Sequence, residues 1–339
     1  VSAAAIVTLA LGIGANVAMF SVAWPVLVAP LPFPDEDRLM LVSLTYPRGE
    51  VRGRNHLSVG DYNDLRTAAA FASMAAFNKY TQQLNLTGNG EPEQLEVGSV
   101  TAEFFSTLGV RPLVGRLLQS QDAQSSGRVL VLSERTWRQR FGADPAIGGT
   151  VLRLDGQAYE VIGVAPASAG LGTVDPEAWM QQGIDPAYRQ RGSYYLGVIA
   201  RLQADTSPRV ANEELSGIMQ RAALEFPQFN RTLSAEAEPF RDLTTAPVRS
   251  TMVLLLMSAG MVLVVALVNL IGLQMARYLE RLKELSVRRA LGASAWQVAR
   301  QLLTENVVIA WLGGLVGAAV AVGTLHILES IAPTFGWHH

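Results

Sequence analysis

Three pairs of closely spaced carboxylates are the residues of this chain that could carry acid-base chemistry. They are Asp61 and Asp64, Glu91 and Glu93, and Glu213 and Glu214. A hydrolase can use one carboxyl group as a general acid and its neighbour as a general base. Each pair, however, lies in a polar segment, at positions typical of a turn or the exposed face of a helix. We therefore interpret all three pairs as solvated surface carboxylates and predict no catalytic residue.

Other residue types exclude further kinds of site. The four histidines are too scattered for a metal site by spacing, and the sequence contains no cysteine for thiolate ligands, nucleophiles or disulfides. Neither Lys79 nor Lys283 follows a glycine, so the chain has no P-loop for ATP. A net charge of -2 gives no electrostatic case for a nucleic-acid partner. We expect no metal or cofactor in this chain and no enzyme activity.

A charged segment between two apolar runs is the most informative part of the sequence. Residues 280–294 include Glu280, Glu284 and Arg288 at intervals of four, an order that favours a helix. Gly292 is typical of a helix end. The excess of arginine in and around this segment marks the cytoplasmic side of a membrane. From the residues alone, a solvated loop that follows the positive-inside rule remains the alternative to a functional element.

Three apolar runs are long enough to be transmembrane helices. They are residues 1–28, 251–276 and 301–328. About 20 helical residues cross the hydrocarbon core of a bilayer. The first run is too long for a signal peptide and lacks its basic start. Residues 277–300 then form a cytoplasmic turn, and residues 329–339 form a periplasmic tail.

A few polar and small residues stand out within these runs. Asn269 and Glu305 are intramembrane polar residues, which are candidates for function by default, although for Glu305 we favour a hydrogen bond to a neighbouring helix. Gly313, Gly317 and Ala321 recur every four residues and predict a helix-packing face. That face would contact the first span or a second protomer.

The polar region between the first two spans, residues 31–250, is predicted to be an extracytoplasmic α/β domain. It divides into two βαβ halves, residues 31–100 and 192–245, with an inserted mixed α/β subdomain at residues 101–191. The predicted fold is therefore an α/β periplasmic domain on an α-helical transmembrane bundle with three spans present.

Particular residues suggest where the elements of this domain begin and end. In the first half, a strand at 39–44 precedes a helix from Ser58 to about Ala76 and a returning strand at 95–100. In the second half, strands at 194–201 and 232–240 flank a helix at 208–226. Asp155-Gly156 predicts a hairpin turn in the insert.

Several motifs resemble one known family. Residues 284–294, Glu-Leu-Ser-Val-Arg-Arg-Ala-Leu-Gly-Ala-Ser, are similar to the signature turn of the FtsX-like permeases, the membrane subunits of ABC systems. Three motifs in the polar region resemble the MacB-like periplasmic core in order and spacing. They are Phe104-Phe105-x-x-Leu108-Gly109, Trp137-x-x-Arg140-Phe141-Gly142 and Tyr159-x-Val161-x-Gly163-Val164. The first span and its proline-rich exit at residues 29–34 resemble the same subgroup, including duplicated orphan permeases.

The resemblance implies a site and a set of partners. The charged turn would dock on an ABC ATPase subunit, which would hold ATP and Mg²⁺. The implied coupling residues are Glu280, Glu284, Leu285, Arg288, Arg289, Leu291 and Gly292. Further expected partners are a second copy or paired permease half, membrane lipid, a periplasmic adaptor and an outer-membrane channel. The family also has a fourth span and a helix before the first span, so we interpret the chain as a fragment.

Three classes of function are compatible with this resemblance. The first is an exporter permease of the bacterial inner membrane, which couples ATP hydrolysis on the partner to movements of a periplasmic head. The second is a signalling permease that regulates a periplasmic hydrolase. The third is a membrane-anchored scaffold or binding protein without an ATPase. The large head with its insert favours the exporter.

Overall fold

A computed structural model describes residues 2–27, 30–45, 56–87, 93–123, 128–171, 175–184, 190–290 and 295–331. The chain forms two units. Residues 31–244 form one unit, which we call the head. Residues 1–30 and 245–339 form the other, which we call the helical unit. The side chains of residues 281–290 and of several positions in the last helix lie outside the description.

The described part of the head contains eleven strands and five complete helices. The strands are β1 Leu39–Thr45, β2 Phe71–Asn78, β3 Gln82–Thr87, β4 Glu93–Val100, β5 Val114–Gly115, β6 Val129–Ser133, β7 Val151–Leu154, β8 Gln157–Ala165, β9 Ala178–Gln181, β10 Leu196–Leu202 and β11 Ser234–Pro239. The long helices of the helical unit are α1 Ser2–Leu27, α7 Phe240–Ala290 and α8 Ala295–Ile331, of which α7 begins in the head. The head helices are α2 Val59–Leu65, α3 Phe104–Leu108, α4 Glu134–Arg140, α5 Pro208–Glu225 and α6 Pro227–Asn230.

One part of the head is a four-stranded antiparallel sheet in the order β11-β1-β10-β2. Strands β1 and β2 are joined through α2 and run parallel, with β10 between them. Strands β10 and β11 are joined through α5 and also run parallel, with β1 between them. These are two split βαβ units that interleave in one sheet. Alternate β1 residues, Met40, Val42 and Leu44, pack in one core with side chains of α2 and α5.

The first predicted βαβ half differs from the structure at its helix and returning strand. The predicted helix from Ser58 to Ala76 ends at Leu65, and residues 71–78 form β2, which is the returning strand. Alanines in this segment favour a helix, but pairing with β10 along seven positions overrides that preference. The capping box of Ser58 and Asp61 is confirmed, as is the cap at Ser207 with proline in the first turn.

The other part of the head is a closed ring of six strands. Its order is β4-β3-β7-β8-β6-β9, and a parallel pairing of β4 with β9 closes it. Leu95, Val97, Leu130, Leu152 and Val161 are among the side chains of its core. The hairpin at Asp155-Gly156 is confirmed, with positive φ at both residues as a type I′ turn requires. Strands β3 and β4 belong to this ring, although the sequence analysis placed residues 82–100 in the first βαβ half.

Aromatic side chains pack between the sheet and the ring. The two parts meet along the strands at Phe77 and Val100. Phe77, Phe104, Phe105 and Trp179 follow one another edge to face, with centroid separations of 6.1, 5.3 and 5.7 Å. The Phe104-Phe105 motif is therefore a core motif that joins the two parts of the head.

The helical unit contains one described helix that is long and apolar enough to cross a membrane, at Arg249–Glu280 within α7. Two shorter apolar stretches, Ile6–Ser21 and Ala310–Thr324, lie in α1 and α8. Helix α7 continues without interruption to Ala290, so the charged segment is helical over residues 280–290.

Candidate functional site

The two ends of the head's polypeptide lie side by side. The head begins at Leu31 and ends at Thr244. Phe33 and Phe240 are both buried and pack edge to face, 5.9 Å between centroids. Any movement that reaches the head along the polypeptide chain must pass close to these two rings.

An ion pair reinforces this contact. The Glu36 carboxylate accepts a hydrogen bond from the Leu31 N–H at 2.5 Å and pairs with an Arg241 guanidinium nitrogen at 3.1 Å. The Glu36 side chain is 16 % exposed and that of Arg241 is 30 % exposed, so solvent screens the pair only in part. We call Leu31, Phe33, Glu36, Phe240 and Arg241 the base clamp.

Arg201, at the end of β10, holds the segment next to the base clamp. Its guanidinium donates to the backbone carbonyls of Pro34 at 2.8 Å, Thr107 at 3.0 Å and Leu108 at 3.1 Å. Burial lowers the pKa of Arg201. The pKa of an arginine nevertheless stays far above neutral pH, so the guanidinium keeps its charge. Sequence reasoning missed Arg201, whose only signal is a charge near the end of an otherwise apolar strand.

Two of the sequence motifs meet at this point. Gly109 has a φ of +75°, and a Cβ atom there would lie 2.5 Å from the Pro34 side chain. The glycine of the Phe104-Phe105 motif therefore allows the proline-rich segment after α1 to pack on the end of α3.

Arg241→Gln should loosen the start of α7. The substitution removes the partly buried positive charge that pairs with the Glu36 carboxylate. Hydrogen bonds to charged groups contribute about 1.5 to 3 kcal/mol. Backbone amides next to Phe240 should therefore exchange about ten- to 150-fold faster with deuterium, measured by mass spectrometry. Arg209→Gln, which breaks an exposed ion pair on α5, is the matched control and should leave this exchange unchanged. Equal exchange in both variants would contradict the clamp.

The pair Asp61 and Asp64 is not the solvated pair that the sequence analysis predicted. Asp61 is fully buried and accepts from Arg191 and from the Asn230 amide at 2.7 Å. Asp64 also pairs with Arg191. We call these four residues the buried ion cluster. The guanidinium of Arg191 lies 4.2 Å from the centroid of the Phe226 ring.

The other described carboxylates of these pairs have structural contacts, and Glu93 and Glu213 lie at the surface as predicted. Glu214 accepts from the N–H groups of Ala69 and Ala70 at 2.7 and 2.8 Å, and Glu93 pairs with Arg140 at 3.0 Å. Glu213 pairs with Arg209 on the surface. Glu91 lies outside the described residues. Within the part of the chain that the structure describes, no group of three or more potential ligands could hold a metal ion.

The predicted small-residue face of α8 contacts α1. A Cβ at Gly313 would lie 2.8 Å from the Leu9 Cβ, and one at Gly317 would lie 2.9 Å from the Ala10 carbonyl oxygen. On the α1 side, a Cβ at Gly14 would lie 2.9 Å from the Gly317 carbonyl oxygen. The two helices therefore approach backbone to backbone, as small residues allow. Ala321, on the same face, is 1 % exposed.

The other predicted site residues lie on α7 and α8. Asn269 and Glu280 are exposed on α7. Glu284, Leu285, Arg288 and Arg289 lie in the last turns of α7, and Glu305 lies on α8, where only the backbone is described. Leu291 and Gly292 lie outside the described residues. Sequence reasoning missed Asn16, which donates from α1 to the Ala259 carbonyl of α7 at 2.8 Å.

Family models match most of the chain. Residues 2–218 match the MacB-like periplasmic core domain, and residues 256–338 match the FtsX-like permease C-terminal model. The chain belongs to the FtsX/MacB-like ABC permeases. Membership of this family implies an inner-membrane transport protein with a periplasmic domain.

Two curated relatives and one solved structure are similar to this chain. The chain is 26 % identical to a macrolide export ATP-binding/permease protein MacB of Chlorobaculum tepidum, over 75 % of this chain and 40 % of that protein. A Campylobacter jejuni MacB is 22 % identical, over 85 % and 45 %. The crystal structure of the periplasmic region of MacB from Actinobacillus actinomycetemcomitans covers 62 % of this chain and 92 % of its own, with 15 % identity and a TM-score of 0.44. The chain spans less than half the length of the two curated relatives.

Proposed function

We propose that this chain is the permease part of an ABC-type efflux system, in which ATP hydrolysis on a separate subunit moves the periplasmic head. The observation that carries the proposal is the continuity of α7, which has 51 residues from Phe240 in the base clamp to Ala290 in the charged segment. At the rise of an α-helix this is about 77 Å, against about 30 Å of hydrocarbon. A continuous helix can therefore carry a displacement from the cytoplasmic side toward the head.

The proposed mechanism is mechanical. Dimerisation of the ATPases on ATP binding would push on residues 280–294, α7 and α8 would tilt, and the base clamp would pass the displacement to the head. A substrate taken from the periplasm would then be driven outward through an adaptor and an outer-membrane channel. ATP and Mg²⁺ would be bound by the partner, because this chain lacks the glycine-lysine pair of a P-loop.

The proposal can be tested by following the head directly. The sequence has no cysteine, so spin labels can be attached to cysteines at Gly148 in the head and Leu254 in the helical unit, both at exposed positions. The distance between the two labels would be measured by double electron-electron resonance. The labelled chain would be mixed with an excess of unlabelled chain and reconstituted with the partner ATPase in liposomes. ATP with vanadate should shift the distance distribution relative to the nucleotide-free complex. Superimposable distributions in the two states would refute mechanical coupling.

The proposed topology has three spans, with residues 277–300 in the cytoplasm and the head in the periplasm. Single cysteines at Gly148 and Ala293 should therefore react with an impermeant maleimide from opposite sides of the inner membrane. At Gly148 an added side chain meets nothing within 4 Å, so the label should not disturb the head. Both positions should react after permeabilisation, which is the control. Reaction of both cysteines from one side of intact membrane would overturn the topology.

A further inference from the structure

Asn16 is a polar residue in the apolar stretch Ile6–Ser21 of α1. Its side-chain amide donates one hydrogen bond to the Gly12 carbonyl of its own helix, at 2.8 Å. A second, also at 2.8 Å, goes to the Ala259 carbonyl on α7. Both amide hydrogens are therefore used, and one of them joins two helices.

Helix α1 lies close to α7 next to Asn16. One turn before it, a Cβ at Gly12 would lie 3.3 Å from both the Ala266 Cβ and a Leu263 methyl group. Ala266 is 5 % exposed. Asn16 is thus a short donor at a close contact, and a shift of one turn along α7 would place it beside Leu255 or Leu263, whose larger side chains keep the two backbones farther apart.

The contact of α1 with α8 has a different character. There Gly14 and Gly317 approach through their backbones, and the neighbouring side chains are aliphatic. In lipid, apolar side chains gain little by leaving the solvent, so apolar packing alone leaves the register of two helices weakly specified. A short amide that reaches the partner backbone beside a small residue such as Ala259 favours one register over the next. Among the described side-chain hydrogen bonds between α1 and α7, the bond of Asn16 therefore favours one register over its neighbours.

This register matters because α1 and α7 are the two helices that adjoin the head in sequence. The head begins at Leu31, just after α1, and ends at Thr244, inside the first turns of α7. If α7 moved past α1, the two connections to the head would be displaced unequally, and part of the movement would be lost.

We propose that Asn16 is a positioning residue whose hydrogen bond to the Ala259 carbonyl fixes the register of α1 on α7, so that both connections to the head move together. The movement itself rests on the proposed function. The register does not, because it is a property of the chain without ATP or a partner.

Disulfide crosslinking tests the register. In the proposed arrangement, cysteines at Gly12 and Ala266 have Cβ atoms close to the separation of a disulfide. Cysteine pairs of Gly12 with Val262 or Leu270 report a shift of one turn. In the parent chain, copper phenanthroline should oxidise the 12/266 pair far faster than the two shifted pairs.

Asn16→Leu should reduce the preference for the 12/266 pair by about three- to twenty-fold, the range of interhelical hydrogen bonds in membranes. Asn16→Gln keeps an amide donor and should recover part of the preference. Protease resistance of the head shows that each variant is folded. Unchanged crosslinking in Asn16→Leu, or equal crosslinking in Asn16→Leu and Asn16→Gln, would overturn the assignment.

The joint movement of the two connections to the head has a separate readout. With the partner ATPase, Asn16→Leu should reduce the ATP-dependent distance change between Gly148 and Leu254 labels, and Asn16→Gln should restore part of it. A full distance change in Asn16→Leu would refute the positioning role. If the parent chain itself shows no change, the proposed function fails, while the crosslinks still decide the register.

Discussion

Arg191→Ala should destabilise the head by about 3 to 5 kcal/mol, the loss that follows when one partner is removed from a buried ion pair. The side chains of Arg191 and Asp61 are both fully buried. Without the guanidinium, Asp61 would keep only the hydrogen bonds from Asn230 and from Ser58, and its charge would lie uncompensated in the core. The contact of Arg191 with the Phe226 ring would be lost as well.

The measurement is proteolysis of the full chain in detergent as a function of urea, with the fragments of the head followed by mass spectrometry. Arg209→Ala is the matched control, because the ion pair of Arg209 with Glu213 is mostly exposed and should contribute about 0 to 1 kcal/mol. The double variant Asp61→Asn with Arg191→Met should lose less stability than the sum of the two single variants, since it leaves no unpaired charge at position 61 and only the partly exposed Asp64 loses its guanidinium partner. Equal stability of Arg191→Ala and Arg209→Ala would refute the structural role of the buried ion cluster.

The buried ion cluster also shows the limit of sequence reasoning in the head. The capping box of Ser58 and Asp61 is a local pattern, and it could be predicted because both residues lie within four positions. The burial of Asp61 depends on Arg191, which is 130 residues away in sequence. A carboxylate that caps a helix is usually solvated, so local pattern alone favoured the wrong environment.

The strand pairings differ from the prediction for the same reason. Short apolar runs located β1 and β10, because each strand has one face against the helices and one against the aromatic core and so is buried on both faces. It could not show that β10 inserts between β1 and β2, or that β4 closes a ring with β9. The alanines of β2 carry a helix preference that only the pairing with β10 reverses.

The same distinction between local pattern and tertiary contact holds in the helical unit. The spacing of Gly313, Gly317 and Ala321 indicated a packing face before the partner was known, because small residues at intervals of four share one side of a helix. The partner, Gly14 on α1, requires the tertiary structure. Asn16 was overlooked because one amide in a run of small residues has no pattern of its own, and its acceptor is a backbone carbonyl that no sequence motif marks.

The coupling segment leads to the second prediction with a large effect. Glu284 and Arg288 are one turn apart, as are Leu285 and Arg289, so the four positions form two adjacent rows on a helix. The backbone of α7 is helical to Ala290, which supports this arrangement. In the proposed function, these rows bind a cleft of the ATPase through charge pairs and an apolar anchor.

Reversal of Arg288 and Arg289 to glutamate should weaken ATPase binding about thirty- to several-thousand-fold, since a buried interfacial charge pair that loses one partner costs about 2 to 5 kcal/mol. The measurement is titration of the purified ATPase against the permease in detergent. Arg249→Glu makes one such charge reversal at the other end of the apolar part of α7 and should leave binding intact. Replacement of Arg288 and Arg289 by lysine keeps the charge but loses the planar guanidinium. The affinity of this variant for the ATPase should therefore lie between that of the reversed variant and that of Arg249→Glu.

One alternative cause must be separated from the loss of binding. Arginines in a short loop also set the orientation of the spans, so the reversal could invert the protein instead of breaking an interface. Maleimide labelling at Gly148 and Ala293 in the reversed variant distinguishes the two, because inversion exchanges the accessible sides and a broken interface does not. If the reversed variant keeps its orientation, its ATPase affinity and its transport, residues 280–294 are an ordinary positively charged loop. If it keeps its orientation and loses the ATPase while the head stays protease-resistant, the charged end of α7 is the point at which the partner acts on this chain.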